Sequence, residues 1–308
     1  MRYKSCTAAD IAFLHTHITS DNPNRPSITD NEFCNVFIIT AFNTHKDSIN
    51  TIGLRRFATE KRVKLTDFFS DNRVEKVEDR NKKKGRKIAT NCKISSILDN
   101  LQQLLWDTSS GTVSDFIPEK LSLCLDLPVM IWANAVTDLC ITKSQEGTVY
   151  AWQSRLSSQG QQVLDTLFIK LTNPPQNIKL DGLLENVIPL VPNSNSVECC
   201  LPDDSTVRIS RTQVKLIPNF AMTDFASQGK TRHYNFIDLN NLSCHQAYYM
   251  ALSQSASATR TIILQAFNEK VMTGGVSSAL QQEFRNLEIL DAITQLRFES
   301  QVIKNSVW

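Results

Sequence analysis

The sequence predicts an α/β chain with a small β-barrel inserted in it, and three observations carry that prediction. A compact β-branched and aromatic run, "NVFIITAF" (35–42), is followed at once by nineteen residues of helical periodicity, the pattern of a strand-then-helix unit. From about residue 125 the texture changes to short apolar runs separated by Gly, Pro, Asn and Asp, as in small all-β insertions. After residue 218 the alternation of strand and helix returns. The expected boundaries are 1–124 for the first part of the α/β domain, 125–217 for the barrel and 218–308 for the remainder.

Taken in order, "TAADIAFLHTHI" (7–18) reads as a short helix. Thr7 is a capping residue, Asp10 lies in the first turn, and Ile11, Leu14 and Ile18 recur at helical spacing. The run at 35–42 reads as a strand buried on both faces, and 43–61 as a helix through Ile49, Ile52 and Phe57. Residues 73–87, "RVEKVEDRNKKKGRK", are dense in charge and read as a solvated loop, with a basic contact to phosphate backbones through Lys82, Lys83 and Lys84 as the sharper alternative. "KISSILDNLQQLLWD" (93–107) reads as one amphipathic helix with Ile94, Ile97, Leu98, Leu101, Leu104 and Leu105 on one side. Strands are expected at "LPVMIWAN", "GTVYAWQS", "DTLFIKLT", "NVIPLVP", "SVECCLP" and "TVRISRTQVKLI". A helix is expected around "CHQAYYMALSQSAS" and a strand at "TIILQAF". A final helix near 277–300 carries Leu280, Phe284, Leu287, Leu290, Ile293 and Leu296 as a packing stripe.

The chain has 308 residues, a formal net charge of +2 and eight cysteines. Near neutrality excludes a strong overall field toward nucleic acid or membrane, so any such binding must be local. The cysteines show neither C-x-x-C spacing nor a His at zinc-ligand distance, and read as reduced thiols. No apolar signal core opens the sequence and no apolar run is long enough to span a bilayer. The expectation is an intracellular protein, nuclear or cytoplasmic, with no membrane partner. Asp203-Asp204 read as turn acids in "LPDDST", and His15 and His17 as surface residues of the first helix.

The tripeptide Gly229-Lys230-Thr231 invites comparison with a phosphate-binding loop. That motif needs a Gly five residues before Gly229, where Asp224 stands, and a helix directly after it, where "RHYNFIDLNN" follows. No G-x-x-x-x-G-K-[ST] and no apolar strand ending in Asp-Glu occurs anywhere in the chain.

Four stretches in order give the tripeptide a different context: "VFIITAFNTHKDSIN", "LDLPVMIWANAVTDLCITKSQEGTVYAW", "FAMTDFASQGKT" and "AYYMALSQSASATRTIIL". Together they resemble the C-terminal half of superfamily 1 DNA helicases, most closely the RecD-like branch that includes helicases of fungal Helitron-type mobile elements. The resemblance covers nearly the whole chain. It implies a second RecA-like motor domain carrying an inserted SH3-like barrel. "FAMTDFASQGKT" matches a family motif written A-M-T-I-H-K-S-Q-G-x-T. The resemblance implies nucleotide contacts from Gln228, Gly229 and Lys230 and single-stranded DNA contacts from Thr223 and Ser227 in this stretch and from Asn43 in the first. Two departures stand out. Asp224, Phe225 and Ala226 replace Ile-His-Lys, which loses a cation and adds an acid. Gln254 stands where the family motif Y-V-A-L-S-R has its arginine finger, a group worth about 10³ to 10⁵ in rate.

The expectation is therefore a helicase-derived, nucleic-acid-associated protein, the motor half of an ATP-dependent DNA helicase without the phosphate-loop domain. Stand-alone ATPase activity is not expected. ATP and magnesium would bind only if a first motor domain were supplied, as a partner in trans. Single-stranded DNA would be bound weakly. The alternative is a catalytically silent module that binds DNA or a protein.

Overall fold

A computed structural model describes residues 3–19, 36–76, 93–95, 99–107, 117–157, 159–200, 206–229 and 231–305. The chain divides into two compact units, residues 1–41 with 227–308, and residues 42–226.

The first unit is α/β. Helix α1 (Ala8–His15) starts at Thr7, whose hydroxyl accepts the Asp10 N–H while the Asp10 carboxylate accepts the Thr7 N–H, a reciprocal capping box that also holds the Asp10 carboxyl below its usual range. Strand β1 (Ile38–Thr40) is shorter than the apolar run that predicts it. It pairs parallel with β14 (Asn235–Ile237), which pairs parallel with β15 (Thr261–Ile263). Helix α5 (His245–Ser253) turns Tyr248 and Ala251 into the core, and α6 (Ser278–Asn305) ends the described chain. Parallel strands with helical connections require both sheet faces to be covered, which is why all three residues of β14 and of β15 are buried.

The second unit opens with α2 (Asn43–Lys61), whose buried stripe is Lys46, Asn50, Gly53, Leu54, Phe57 and Ala58. The helix is where the sequence places it, but its face is rotated: Ile52 is 66% exposed. Apolar periodicity misses this face because two of its members are polar and satisfied inside. Then come β2 (Thr66–Phe69), β3 (Asp71–Lys76), β4 (Lys93–Ser95), α3 (Asp99–Asp107) and β5 (Lys120–Leu123). Strands β6 (Pro128–Ile131), β7 (Glu146–Leu156), β8 (Gln162–Leu171) and β9 (Val187–Leu190) follow, then β10 (Asn193–Cys200), β11 (Thr206–Gln213), β12 (Leu216–Pro218) and β13 (Ala221–Thr223). The four-residue helix α4 (Asp224–Ser227) joins the two units.

The strands of the second unit form an antiparallel sheet β12-β6-β7-β8-β9, a second β10-β11-β3-β4 and the pair β2-β5. No ladder among the described residues joins β12 to β9. One large core, centred on Phe68, Leu127, Val149, Leu167, Ile169, Ile188 and Leu216, lies under the five-stranded sheet, and a smaller one gathers Leu105, Ile117, Val197, Cys199 and Ile209.

Three expectations are corrected. Residues 73–76 are not loop: they belong to β3, where Arg73 pairs with Ser210 and Val74 with both Ile209 and Ser95. The stretch 93–107 is not one helix, because Ile94 lies in β4 opposite Glu75 and the helix begins at Asp99. The final helix is not a packed stripe: Leu287, Leu290, Ile293 and Leu296 are 45%, 58%, 39% and 63% exposed. Lys82, Lys83, Lys84, Lys230 and Asp203-Asp204 lie outside the described residues. Among the described residues no helix is long and apolar enough to cross a membrane, and the six cysteines are free thiols, three of them buried.

Candidate nucleic-acid interface

Asn43 is the first residue of α2, at an N-terminus whose N-cap, Phe42, supplies no side-chain cap. Its Oδ1 accepts from Lys46 Nζ at 3.1 Å, and the same ammonium lies 3.3 Å from Asp47 Oδ1. Lys46 is 1% exposed, and its Nζ sits 5.3 Å from the centre of the Trp132 ring. One helical turn further, Asn50 accepts the N–H groups of Phe220 and Ala221 at 2.9 and 2.8 Å and donates to the Ala221 carbonyl at 3.2 Å. Gly53 lies against the Phe220 ring, where a Cβ would fall 2.5 Å from Cγ. The helix therefore fixes the segment that leads into Thr223, with an asparagine as the clamp and a glycine as the clearance.

Thr223 is half-buried at the end of β13. Asp224 follows and is 3% exposed; burial pushes its carboxyl above the usual range, against hydrogen bonds from backbone N–H groups. The acid that stands in place of the family motif's Ile is thus buried and not displayed at the surface. Phe225, by contrast, is 76% exposed. Ser227 is 0% exposed, whereas Gln228 and Gly229 are exposed. Gly229 has φ +78 with open space where a Cβ would be, so backbone conformation alone selects glycine there.

Gln254 follows α5 as its C-cap and is 6% exposed. Its Nε2 donates to the Met250 carbonyl at 3.0 Å and its own carbonyl accepts the Arg232 N–H at 2.6 Å. Arg232, which motif reasoning passed over, is the cation tied to this segment by backbone. It forms a parallel bridge with Ser255, and its guanidinium lies 3.9 Å above the Phe37 ring. Arg260 instead bonds His233 and lies 5.5 Å from the Tyr234 ring.

The structure thus groups Asn43 with Lys46 and Trp132, and leads Thr223 through the short helix to Gln228 and Gly229. Lys46, Asn50, Trp132 and Arg232 were missed because their roles rest on contacts distant in sequence. Among the described residues no cluster of acids, His or Cys can hold a metal ion.

No family model matches the chain, and no curated protein matches it in sequence. Solved structures do. The Pif1 helicase from Candida albicans matches over 92% of this chain and 55% of its own length, at 15% identity and TM-score 0.54. A Pif1 helicase from Bacteroides in complex with ADP-AlF3 and single-stranded DNA matches over 92% and 51%, at 17% identity and TM-score 0.54. Bacteroides Pif1 bound to single-stranded DNA matches over 93% and 51%, at 15% identity and TM-score 0.55. The chain spans about half the length of each of these helicases. Its mixed α/β fold is that of the matched half of these Pif1 structures.

Proposed function

We propose that this chain is a helicase-derived, single-stranded-DNA-binding motor half, in which residues 1–124 and 218–308 form a second RecA-like domain and 125–217 an inserted SH3-like barrel. One observation carries the reading: nine-tenths of the chain follows the fold of Pif1 helicases, two of which hold single-stranded DNA. The four ordered motifs support placing it in the RecD-like branch, with the Helitron-type mobile-element helicases as the nearest resemblance. DNA contacts are assigned to Asn43, Thr223, Ser227 and the basic segment Lys82–Lys84. Nucleotide contacts are assigned to Gln228, Gly229 and Lys230. Ser227 is buried, so its contact requires α4 to loosen.

ATP and magnesium binding is assigned to a first motor domain, as a partner in trans, because residues 1–308 hold no phosphate loop. A protein of this kind works inside the cell, in nucleus or cytoplasm. The second reading, a catalytically silent binding module, is favoured by Gln254, whose side-chain amide closes the end of its own helix.

The test is equilibrium binding of a labelled single-stranded oligonucleotide across a salt series. Expected are weak, sequence-independent affinity and a linear fall of log K with log salt, because phosphate contacts release counterions. Charge reversal of Lys82, Lys83 and Lys84 is expected to flatten that slope. A salt-insensitive affinity, or no binding at low salt, refutes the reading.

A further inference from the structure

Trp132 follows β6 at the start of a loop, residues 132–143, that the second unit holds rigidly. Its N–H donates to the Lys215 carbonyl at 3.0 Å. Ala135 N–H donates to the Ile141 carbonyl and Ile141 N–H to the Val136 carbonyl, each at 2.9 Å. At the tip, Gln176 Nε2 donates to the Asp138 carbonyl at 3.1 Å, and at the end Lys143 N–H donates to Asn134 Oδ1 at 2.6 Å. The loop therefore returns Lys143 to a fixed place beside the tryptophan. Lys143 Nζ lies 4.9 Å from the ring centre and Lys46 Nζ 5.3 Å.

The two lysines differ in freedom. Lys46 is buried and committed to Asn43 and Asp47. Lys143 is exposed and the half-buried Trp132 ring is within its reach. Beside them, a groove of about 510 Å³ runs between the strand end at Ile131 and the β9–β10 corner; most of its lining is apolar, including Ile131, Val136, Ile141, Leu190 and Val214, and its polar side chains include no acid. Asn134, Asn193, Ser194, Asn195 and Lys215 supply amides, a hydroxyl and one ammonium, with no carboxylate. Val191, 59% exposed, adds an apolar edge.

An indole ring, an exposed ammonium beside it, and a groove that pairs apolar surface with three asparagines and carries no negative charge are the parts of a base-stacking site on a single strand. We propose that Trp132 is the stacking platform for one nucleobase of single-stranded DNA, that Lys143 and Lys215 hold the adjoining phosphates, and that the asparagine groove accepts the neighbouring nucleotide. This rests on the proposed function and adds to it a specific subsite, outside the four motif stretches' DNA residues. Lys46, buried and neutralised by Asp47, fixes the ring's position and contributes no phosphate contact.

The experiment compares an oligothymidylate with an abasic oligomer of the same length, by fluorescence anisotropy at low salt, for the wild-type chain and for Trp132→Ala, Trp132→Phe and Lys143→Gln. Trp132→Ala is expected to weaken oligothymidylate binding about 5- to 100-fold and to leave abasic binding within twofold. Trp132→Phe should retain most of the affinity, since a smaller ring still stacks. Lys143→Gln should weaken both oligomers and lower the salt slope by about 0.7. Intrinsic tryptophan emission is the second readout: quenching on oligothymidylate addition should be largely lost in Trp132→Phe, a variant that keeps the fold. Unchanged quenching in that variant overturns the proposal, as does a Trp132→Ala chain that binds both oligomers like wild type. Failure of the wild-type chain to bind any oligomer overturns the functional reading as well. Wild-type binding with unaltered Trp132 variants overturns the stacking site alone.

Discussion

Arg211→Met tests how the second unit is held together. Arg211 lies on β11 with its side chain 0% exposed, and its guanidinium bonds three elements and the segment that precedes β5. Nε donates to Asn72 Oδ1 at 3.1 Å, Nη1 to the Ile117 carbonyl at 3.2 Å, and Nη2 to the Leu105 carbonyl at 3.3 Å and to Cys199 Sγ at 3.7 Å. Glu119 Oε2 lies 3.9 Å from Nη1 and accepts no hydrogen bond. Methionine fills most of the volume, so the cavity cost is small. What is lost is the donor to buried acceptors, at about 1–3 kcal/mol each before relaxation, and the counter-charge of Glu119. Removing one partner of a buried pair costs about 3–5 kcal/mol, and that is the loss expected at pH 7.

The pH dependence gives a sharper test. Burial pushes the Glu119 carboxyl above its usual value of 4.5, and Arg211 holds it partly down. A carboxyl raised in the folded state contributes stability that is complete below its unfolded pKa and is lost as pH rises through the folded value. Without Arg211 the folded value climbs further. The variant's deficit should therefore be smallest near pH 4 and grow toward pH 7, and Glu119→Gln added to Arg211→Met should recover part of it. The assay is urea denaturation followed by circular dichroism at several pH values. A deficit that is absent at pH 7, or larger at pH 4 than at pH 7, would refute the reasoning.

Three further outcomes are expected. Asn50→Ala leaves the Phe220 and Ala221 N–H groups without their acceptor and should cost about 2–4 kcal/mol, with faster hydrogen exchange at both amides; unchanged exchange would contradict the clamp. Gly53→Ala drives a methyl into the Phe220 ring and should cost about 1–3 kcal/mol, partly recovered by Phe220→Leu; a neutral Gly53→Ala would show that α2 is not held against that ring. With a Pif1-type first motor domain supplied in trans, Gln254→Arg should raise DNA-stimulated ATP turnover with little change in DNA affinity, since a finger acts on transition-state charge; equal turnover would mean that Gln254 does not occupy the finger position.

Local signals were legible in the sequence wherever local chemistry decides the structure. Thr7 and Asp10 cap α1 as their spacing requires, Gly229 takes the positive φ that its turn demands, and the short runs after residue 125 are strands. The sequence misled where a distant partner decides. Arg73 reads as loop because its run is charged, yet pairing with β11 makes it strand. Ile94 reads as helix because its spacing fits, yet β3 recruits it. Lys46 and Asn50 send no apolar signal, yet each finds bonds inside that offset its burial. Of the candidate site, the loop of Gln228 and Gly229 was visible as a motif. The Trp132 platform was not, since its lysines come from positions 86 residues before and 11 after it.

Helix α6 is rooted near its start: Tyr3 packs edge-on against Phe284 at 5.2 Å and its hydroxyl donates to Glu288 at 2.7 Å. From Arg285 to Glu299 every residue is exposed, and beyond the Tyr3 bond at Glu288 the side-chain bonds of Gln295 to Glu299 and of Thr294 to the Leu290 carbonyl lie within the helix. Helix in that stretch is sustained by propagation from the root, so its opening should follow the statistics of fraying and not the cooperative unfolding of a domain. Backbone exchange rates should then rise residue by residue toward the carboxyl end, and the temperature at which this arm melts should be independent of anything that stabilises the parallel sheet.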